Sequence, residues 1–177
     1  MSKDKKISPL ISRERVRQRI AELGNQISKD YAGKSLTLLV LTNGGIFFAV
    51  DLIRSLQNIS VHLECIRVSS YGETCFSSGN PEVFGTLSVE DFHGNHVLIV
   101  DDIIDTGNTL KRICEQVENF GAESVKLCTL LDKPSRRTVK LTPDYCGFEV
   151  EDKFIVGYGL DYVGKYRELP FIGFIEQ

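Results

Sequence analysis

Apolar and polar positions follow two periods along this chain. Val16, Ile20, Leu23, Ile27 and Tyr31 recur at helical spacing behind Ser12, a ready N-cap, and Gly33 is placed to end the helix. That helix is expected to cover the core like a lid. Residues 36–41 form an apolar strand that runs into Thr42, Asn43, Gly44 and Gly45, and the almost wholly apolar 46–56 reads as a helix buried on most sides. Residues 59–68 give the next strand. Residues 97–100 are a continuous apolar run, as expected for a strand covered on both faces of a parallel sheet, and the strand continues to 102. The helix 110–120 puts Leu110, Ile113, Val117 and Phe120 on one face and stops at Gly121; strands follow at 125–131 and 154–158. Strands alternating with helices predict an α/β fold, a doubly wound and mainly parallel sheet flanked by helices. No repeat or linker divides 1–177, so one domain is expected. Residues 72–85 break the pattern with glycines, Ser, Asn and Pro81, and a connection of this kind is either a lid or a plain loop.

Composition narrows the class. With 42% hydrophobic and 25% charged residues the chain is neither disordered nor fibrous. No apolar stretch approaches the roughly 20 residues of a membrane span, and the start MSKDKKISP lacks the apolar segment of a secretory signal. A cytoplasmic protein with no membrane partner is expected. A net charge of −3 argues against general nucleic-acid binding, which leaves a small-molecule partner. Cys65, Cys75, Cys114, Cys128 and Cys146 are odd in number and lack C-x-x-C spacing, so they read as reduced thiols, mostly in the core.

The chemistry concentrates in VLIVDDIIDTGNT, residues 97–109. Asp101 and Asp102 stand at the carboxyl end of a strand, where open α/β sheets place ligands, and two adjacent anions there call for cations or hydroxyl donors. Asp105, Thr106, Gly107, Asn108 and Thr109 then supply short side chains and a glycine before a helix, so backbone N–H groups and two hydroxyls can converge on one anion. An ordinary cap needs one Ser, Thr or Asp, whereas three carboxylates and two threonines crowd these nine residues. A sugar-phosphate site fits best, with carboxylates for ribose hydroxyls and a divalent metal and the loop for a 5′-phosphate. Neither G-x-G-x-x-G after a strand nor G-x-x-x-x-G-K-[ST] is present.

Further along, each residue has two readings. Lys133 follows a strand at the same sheet edge as Asp102 and brings an ammonium donor, or else joins Arg136, Arg137 and Lys140 in a solvated basic loop. Phe154 reads more readily as core than as a ring stacked on a ligand. Asp161 and Arg167, six residues apart, read as an ordinary surface pair.

DDIIDTGNT closely resembles the phosphoribosyl-diphosphate signature of the type I phosphoribosyltransferases. KPSRR from Lys133 and the later PDYCGFEVEDKFIVGYGLDYVGKYRELPFIG are similar to the bacterial hypoxanthine-guanine branch of that family, and with Thr42 to Gly45 the resemblance spans nearly the whole chain. It implies the family fold, with a small hood built from N- and C-terminal segments. It also implies purine salvage: transfer of the 5-phosphoribosyl group to hypoxanthine or guanine, with Mg²⁺, giving IMP or GMP and pyrophosphate. On this resemblance Asp101 and Asp102 bind ribose hydroxyls directly or through Mg²⁺, Asp105 to Thr109 hold the 5′-phosphate, and Asp105 serves as general acid/base near the purine N7. Lys133 donates to the purine 6-oxygen, Phe154 stacks on the ring, and the main chain at Ile155 reads its Watson–Crick edge. Asp161, beside the purine, and Arg167 hold Mg²⁺ and pyrophosphate. A lid at about 71–86 closes over the site, with Ser70 and Tyr71 near its start. Thr42-Asn43-Gly44-Gly45 match the pyrophosphate loop, whose unusual cis peptide would lie between Thr42 and Asn43; the family often carries Lys or Arg in place of Asn43, so Arg167 and Mg²⁺ are left with more of that task. Apolar faces on the 46–56 helix and family habit imply a homodimer or homotetramer. A xanthine- or orotate-specific transferase, or a regulator that senses phosphoribosyl diphosphate on the same scaffold, is the remaining alternative.

Overall fold

The structure, a computed structural model, describes residues 5–68, 83–84 and 88–176. Ser70, Tyr71 and most of the expected lid lie outside the described residues.

Strands β1 (Ile7–Ile11), β2 (Ser35–Thr42), β3 (Ser60–Val68), β4 (Val83–Phe84), β5 (His96–Ile104), β6 (Ser124–Asp132), β7 (Tyr145–Glu149), β8 (Ile155–Val156) and β9 (Ile172–Ile175) form two sheets. Helices α1 (Arg13–Asp30), α2 (Gly45–Ser55), α3 (Val89–Phe92) and α4 (Asn108–Asn119) connect and cover them. The large sheet runs β4-β3-β2-β5-β6-β7, with β3, β2, β5, β6 and β7 all parallel and β4 antiparallel on the β3 edge. The small sheet, β1-β9-β8, is antiparallel and joins the two ends of the chain, as the hood expectation requires.

Parallel strands buried on both faces need apolar residues at successive positions, and β5 supplies Val97, Leu98, Ile99 and Val100, all fully buried. Alternate side chains feed two cores. Leu98 and Val100 join the cluster under α1 and α2, while Val97 and Ile99 join the one under α4. The α1 stripe Val16, Ile20, Leu23 and Ile27 is buried as its spacing requires, and Ser12 caps the helix by accepting from Arg15 N at 3.3 Å. Register sets the position of the site. Val100 lies opposite Val40 on one side and Cys128 on the other, so Thr42, Asp101, Asp102 and Asp132 finish at one edge of the sheet.

Several expectations need correction. The α2 helix is buried on one side only, through Phe48, Ala49 and Leu52, while Ile46, Phe47 and Val50 are each about 40% exposed. The strand at 154–158 shortens to β8 and pairs in the hood rather than in the parallel sheet. The neighbour of β6 in the parallel sheet is instead β7, in which Gly147 packs so closely on Leu130 that a Cβ there would lie 2.3 Å from the Leu130 carbonyl oxygen. Of the described cysteines only Cys128 is buried; Cys65 is exposed and Cys114 and Cys146 are half-buried, because they fall on helix or strand flanks. No described helix is long and apolar enough to cross a membrane.

Candidate functional site at the carboxyl edge of the sheet

Three chain segments meet where β2 and β5 end. The turn after β2 contains a cis peptide between Thr42 and Asn43, and Thr42 Oγ1 donates to Ile66 O at 3.0 Å. A Cβ on Gly44 would stand 1.7 Å from Asp102 Oδ2, and one on Gly159 would stand 2.2 Å from Gly44 O. Gly159 has φ +100°, which only glycine adopts without strain. The backbone of this turn therefore lies directly against the carboxylate pair.

Asp101 and Asp102 are partly buried, and the Asp102 N–H donates to Asp101 Oδ1 at 2.9 Å. Burial, and then the charge of Asp102, push the Asp101 carboxyl well above the ordinary carboxylate range. Burial also raises Asp102, against opposing contributions that include the positive charge of Arg167. Two carboxyl groups in this environment are short of cationic compensation.

The segment from Asp105 to Thr109 forms a loop that opens α4. Gly107 is the N-cap at φ +84°, and no side chain caps the helix, so its first N–H groups are available to an anion. Asp105 is 43% exposed, and Arg136 Nε donates to its Oδ1 at 2.8 Å. Arg136 also reaches Asp152 at 3.5 Å. Arg137, in contrast, is turned inward beneath the loop.

Lys133 is only 7% exposed, which excludes the solvated-loop reading. Its Nζ donates to Lys153 O at 2.6 Å and stands 3.8 Å from Asp152 Oδ1. Phe154 corrects the core reading, since it is 45% exposed and rests edge-on against Tyr162 with ring centroids 5.3 Å apart. Ile155 is buried in β8, paired with Phe174. Asp161 and Arg167 do pair, at 2.6 Å, and Asp161 Oδ2 also accepts from Gly164 N at 2.7 Å. Arg167 Nη1 donates to Gly159 O, which ties this pair to the glycine turn.

Residues 11–163 match the family model of the phosphoribosyl transferase domain. The chain belongs to the phosphoribosyltransferase family. The hypoxanthine phosphoribosyltransferase of Escherichia coli (strain K12) is 41% identical over 169 residues, 94% of either chain. The hypoxanthine-guanine phosphoribosyltransferase of Streptococcus pneumoniae (strain R6) is 40% identical over 95% of this chain and 92% of that one. The crystal structure of a hypoxanthine-guanine phosphoribosyltransferase from Bacillus anthracis with a HEPES molecule in its active site superposes with a TM-score of 0.89, at 39% identity, over 98% of this chain and 100% of that one.

Within this phosphoribosyltransferase fold, the ends of β2, β5 and β6 bring the Gly44 turn, the Asp101–Asp102 pair, the Asp105–Thr109 loop and Lys133 to one edge. Among the described residues no group of three or more Asp, Glu, His or Cys side chains converges on one point, so Asp101, Asp102 and Asp161 do not form a ready-made cage. Mg²⁺ is nonetheless a good fit to the carboxylate pair, because this ion binds through one or two carboxylates and completes its shell with water and substrate phosphates. Arg136 and Arg137 are not singled out by sequence spacing. Two adjacent arginines after a strand look like solvent-facing charge, and only the fold turns one of them under the loop.

Proposed function

We propose that this protein transfers the 5-phosphoribosyl group from phosphoribosyl diphosphate to hypoxanthine, guanine or both, releasing pyrophosphate. The observation that carries this reading is Lys133. A buried ammonium bonded to the carbonyl of Lys153, the residue before the exposed Phe154, at the strand edge that also holds the DDIIDTGNT loop, is a donor-only group placed to read a planar base with an oxo substituent. The relatives named above, hypoxanthine and hypoxanthine-guanine phosphoribosyltransferases, support the same substrate class.

The chemistry asked of the chain follows. Displacement at the anomeric carbon passes through an oxocarbenium-like state, so groups must hold the purine nitrogen in line and stabilise the departing diphosphate. The loop from Asp105 to Thr109 fixes the 5′-phosphate through its backbone N–H groups, and Asp101 and Asp102 take the ribose hydroxyls. Phe154 stacks on the purine, Lys133 donates to its 6-oxygen, and the Ile155 main chain reads the adjoining edge. As the ring nitrogen bonds to the anomeric carbon, Asp105 accepts the proton that the purine gives up. Asp101, Asp102 and Asp161 are the side chains that would hold Mg²⁺, which when bound neutralises charge on the diphosphate. Arg167, with the Thr42–Gly45 backbone, serves the leaving group where Asn43 carries no charge. Arg167 is already held beside that turn by Gly159 O.

The same reading includes a homo-oligomer, supported by the exposed Ile46, Phe47 and Val50 on α2. It also includes a cytoplasmic site of action, since substrate and product are charged phosphate esters that do not enter an apolar bilayer. Incubation of the protein with phosphoribosyl diphosphate, Mg²⁺ and either hypoxanthine or guanine, followed by chromatography for IMP or GMP, tests the proposal. Formation of IMP or GMP supports it. Failure to form any nucleotide from hypoxanthine or guanine overturns it.

A further inference from the structure

Arg137 occupies a position that none of the roles above uses. Its side chain is 12% exposed, and its guanidinium makes four hydrogen bonds: Nε to Asp105 O at 2.9 Å, Nη2 to Ile104 O at 3.4 Å and to Asp132 Oδ1, and Nη1 to Leu141 O. A nearly buried cation is costly unless its donors are placed, and here three of the four acceptors are main-chain carbonyls. Two of those carbonyls belong to the end of β5 and the first residue of the phosphate loop. The neighbouring residue continues the contact, since Thr138 N donates to Thr106 O at 3.0 Å.

We infer that Arg137 is a positioning residue that shapes the 5′-phosphate loop from behind, an inference that rests on the phosphoribosyl-transfer reading. The argument is peptide geometry. In a trans peptide the C=O and the following N–H point in opposite directions, and the cis bond at Thr42–Asn43 lies elsewhere. With the carbonyls of Ile104, Asp105 and Thr106 all turned toward the 137–138 segment, the N–H groups of Asp105, Thr106 and Gly107 face the opposite side. That side is the mouth of the cradle, where a phosphate accepts from successive N–H groups. Arg137 also packs on the loop's glycine: a Cβ at Gly107 would lie 2.9 Å from Arg137 Cδ. The fourth bond holds Asp132, the residue before Lys133, so one guanidinium fixes the phosphate loop and the strand end that delivers the purine-reading lysine.

The role requires a fork, not merely a charge. Lysine keeps the charge but donates from a single nitrogen and cannot hold four acceptors spread over three segments. Methionine keeps much of the length and removes every donor. Binding to IMP and to inosine, which differ only in the 5′-phosphate, separates loop shape from general damage and needs no turnover. R137K and R137M are expected to weaken the Kd for IMP by about 10- to 100-fold, with inosine changed by less than about threefold. In steady-state assays the KM for phosphoribosyl diphosphate rises by a similar factor while the KM for hypoxanthine holds. R137K that binds IMP as wild type does overturns the inference, as does equal weakening for IMP and inosine. If R137M does not fold, R137K decides. Wild-type protein that binds neither IMP nor GMP overturns the proposed function itself, and this inference with it; if it binds GMP alone, GMP and guanosine replace IMP and inosine in the comparison.

Discussion

Gly44 and Asp102 are in contact: the Gly44 Cα faces the carboxylate so directly that a methyl group in the Cβ position would lie 1.7 Å from Oδ2. The parallel pairing of β2 with β5 thus brings two segments far apart in sequence into one small volume. G44A must displace either the turn or the carboxylate. Misplacement of a site group by about 1 Å costs roughly 10²-fold, so kcat/KM is expected to fall by about that factor or more in steady-state assays. Near-normal turnover in G44A would remove the turn from the site.

Asp105 is assigned to proton transfer, and Arg136 holds one of its oxygens at 2.8 Å. D105N keeps the size and loses the proton acceptor. Turnover should drop by about 10²-fold or more while IMP still binds within a few-fold of wild type, as calorimetry would show. The Arg136 contact is half exposed and worth at most about 1 kcal/mol to the fold, so R136M should shift the thermal midpoint very little.

The carboxylate pair sets a pH dependence with a definite sign. Burial and the charge of Asp102 raise the folded-state Asp101 pKa well above its unfolded value of roughly 4. The folded protein then holds a proton that the unfolded chain releases. This contribution to stability is full below the unfolded pKa and is lost as pH rises through the folded one. D101N, uncharged throughout, should therefore melt higher than wild type at pH 8 and nearly alike at pH 4, at roughly 2–4 °C per kcal/mol relieved. Calorimetric scans at both pH values decide it, and a lower midpoint for D101N at pH 8 would contradict the assignment.

The exposed face of α2 provides a test of assembly. Ile46 and Val50, one helical turn apart and 40% and 41% exposed, form an apolar strip beside Phe47. Sedimentation should find a dimer or larger for wild type and a monomer for the I46K/V50K double variant. A monomeric wild type contradicts the proposed assembly.

The sequence made the main parallel strands and the polar loop that opens α4 readable because both rest on local signals. The run from Val97 to Val100 announces a strand buried on both faces, and Asp105 to Thr109 concentrate too many polar side chains for a simple cap. What spacing could not reveal depends on tertiary placement. Tyr145–Glu149 is short and carries Gly147, so its strand identity comes from pairing with β6 and not from any alternation of its own. The exposure of Phe154 follows from β8 joining the hood, a contact between chain ends that no local pattern encodes. Arg136 and Arg137 are adjacent in sequence yet face opposite ways, one to solvent beside Asp105 and one beneath the loop.

The central claim is transfer to a 6-oxopurine read by Lys133, and base selectivity tests it most directly. An ammonium only donates, so it suits the 6-oxo group of hypoxanthine or guanine and opposes the 6-amino group of adenine. Phosphoribosyl transfer from phosphoribosyl diphosphate with Mg²⁺ should be measured for all three purines, with wild type and K133A side by side. The expected result is transfer to hypoxanthine or guanine preferred over adenine by roughly 10⁴-fold in kcat/KM, with that preference much reduced in K133A. Efficient use of adenine by wild type, or an unchanged preference in K133A, would contradict the account.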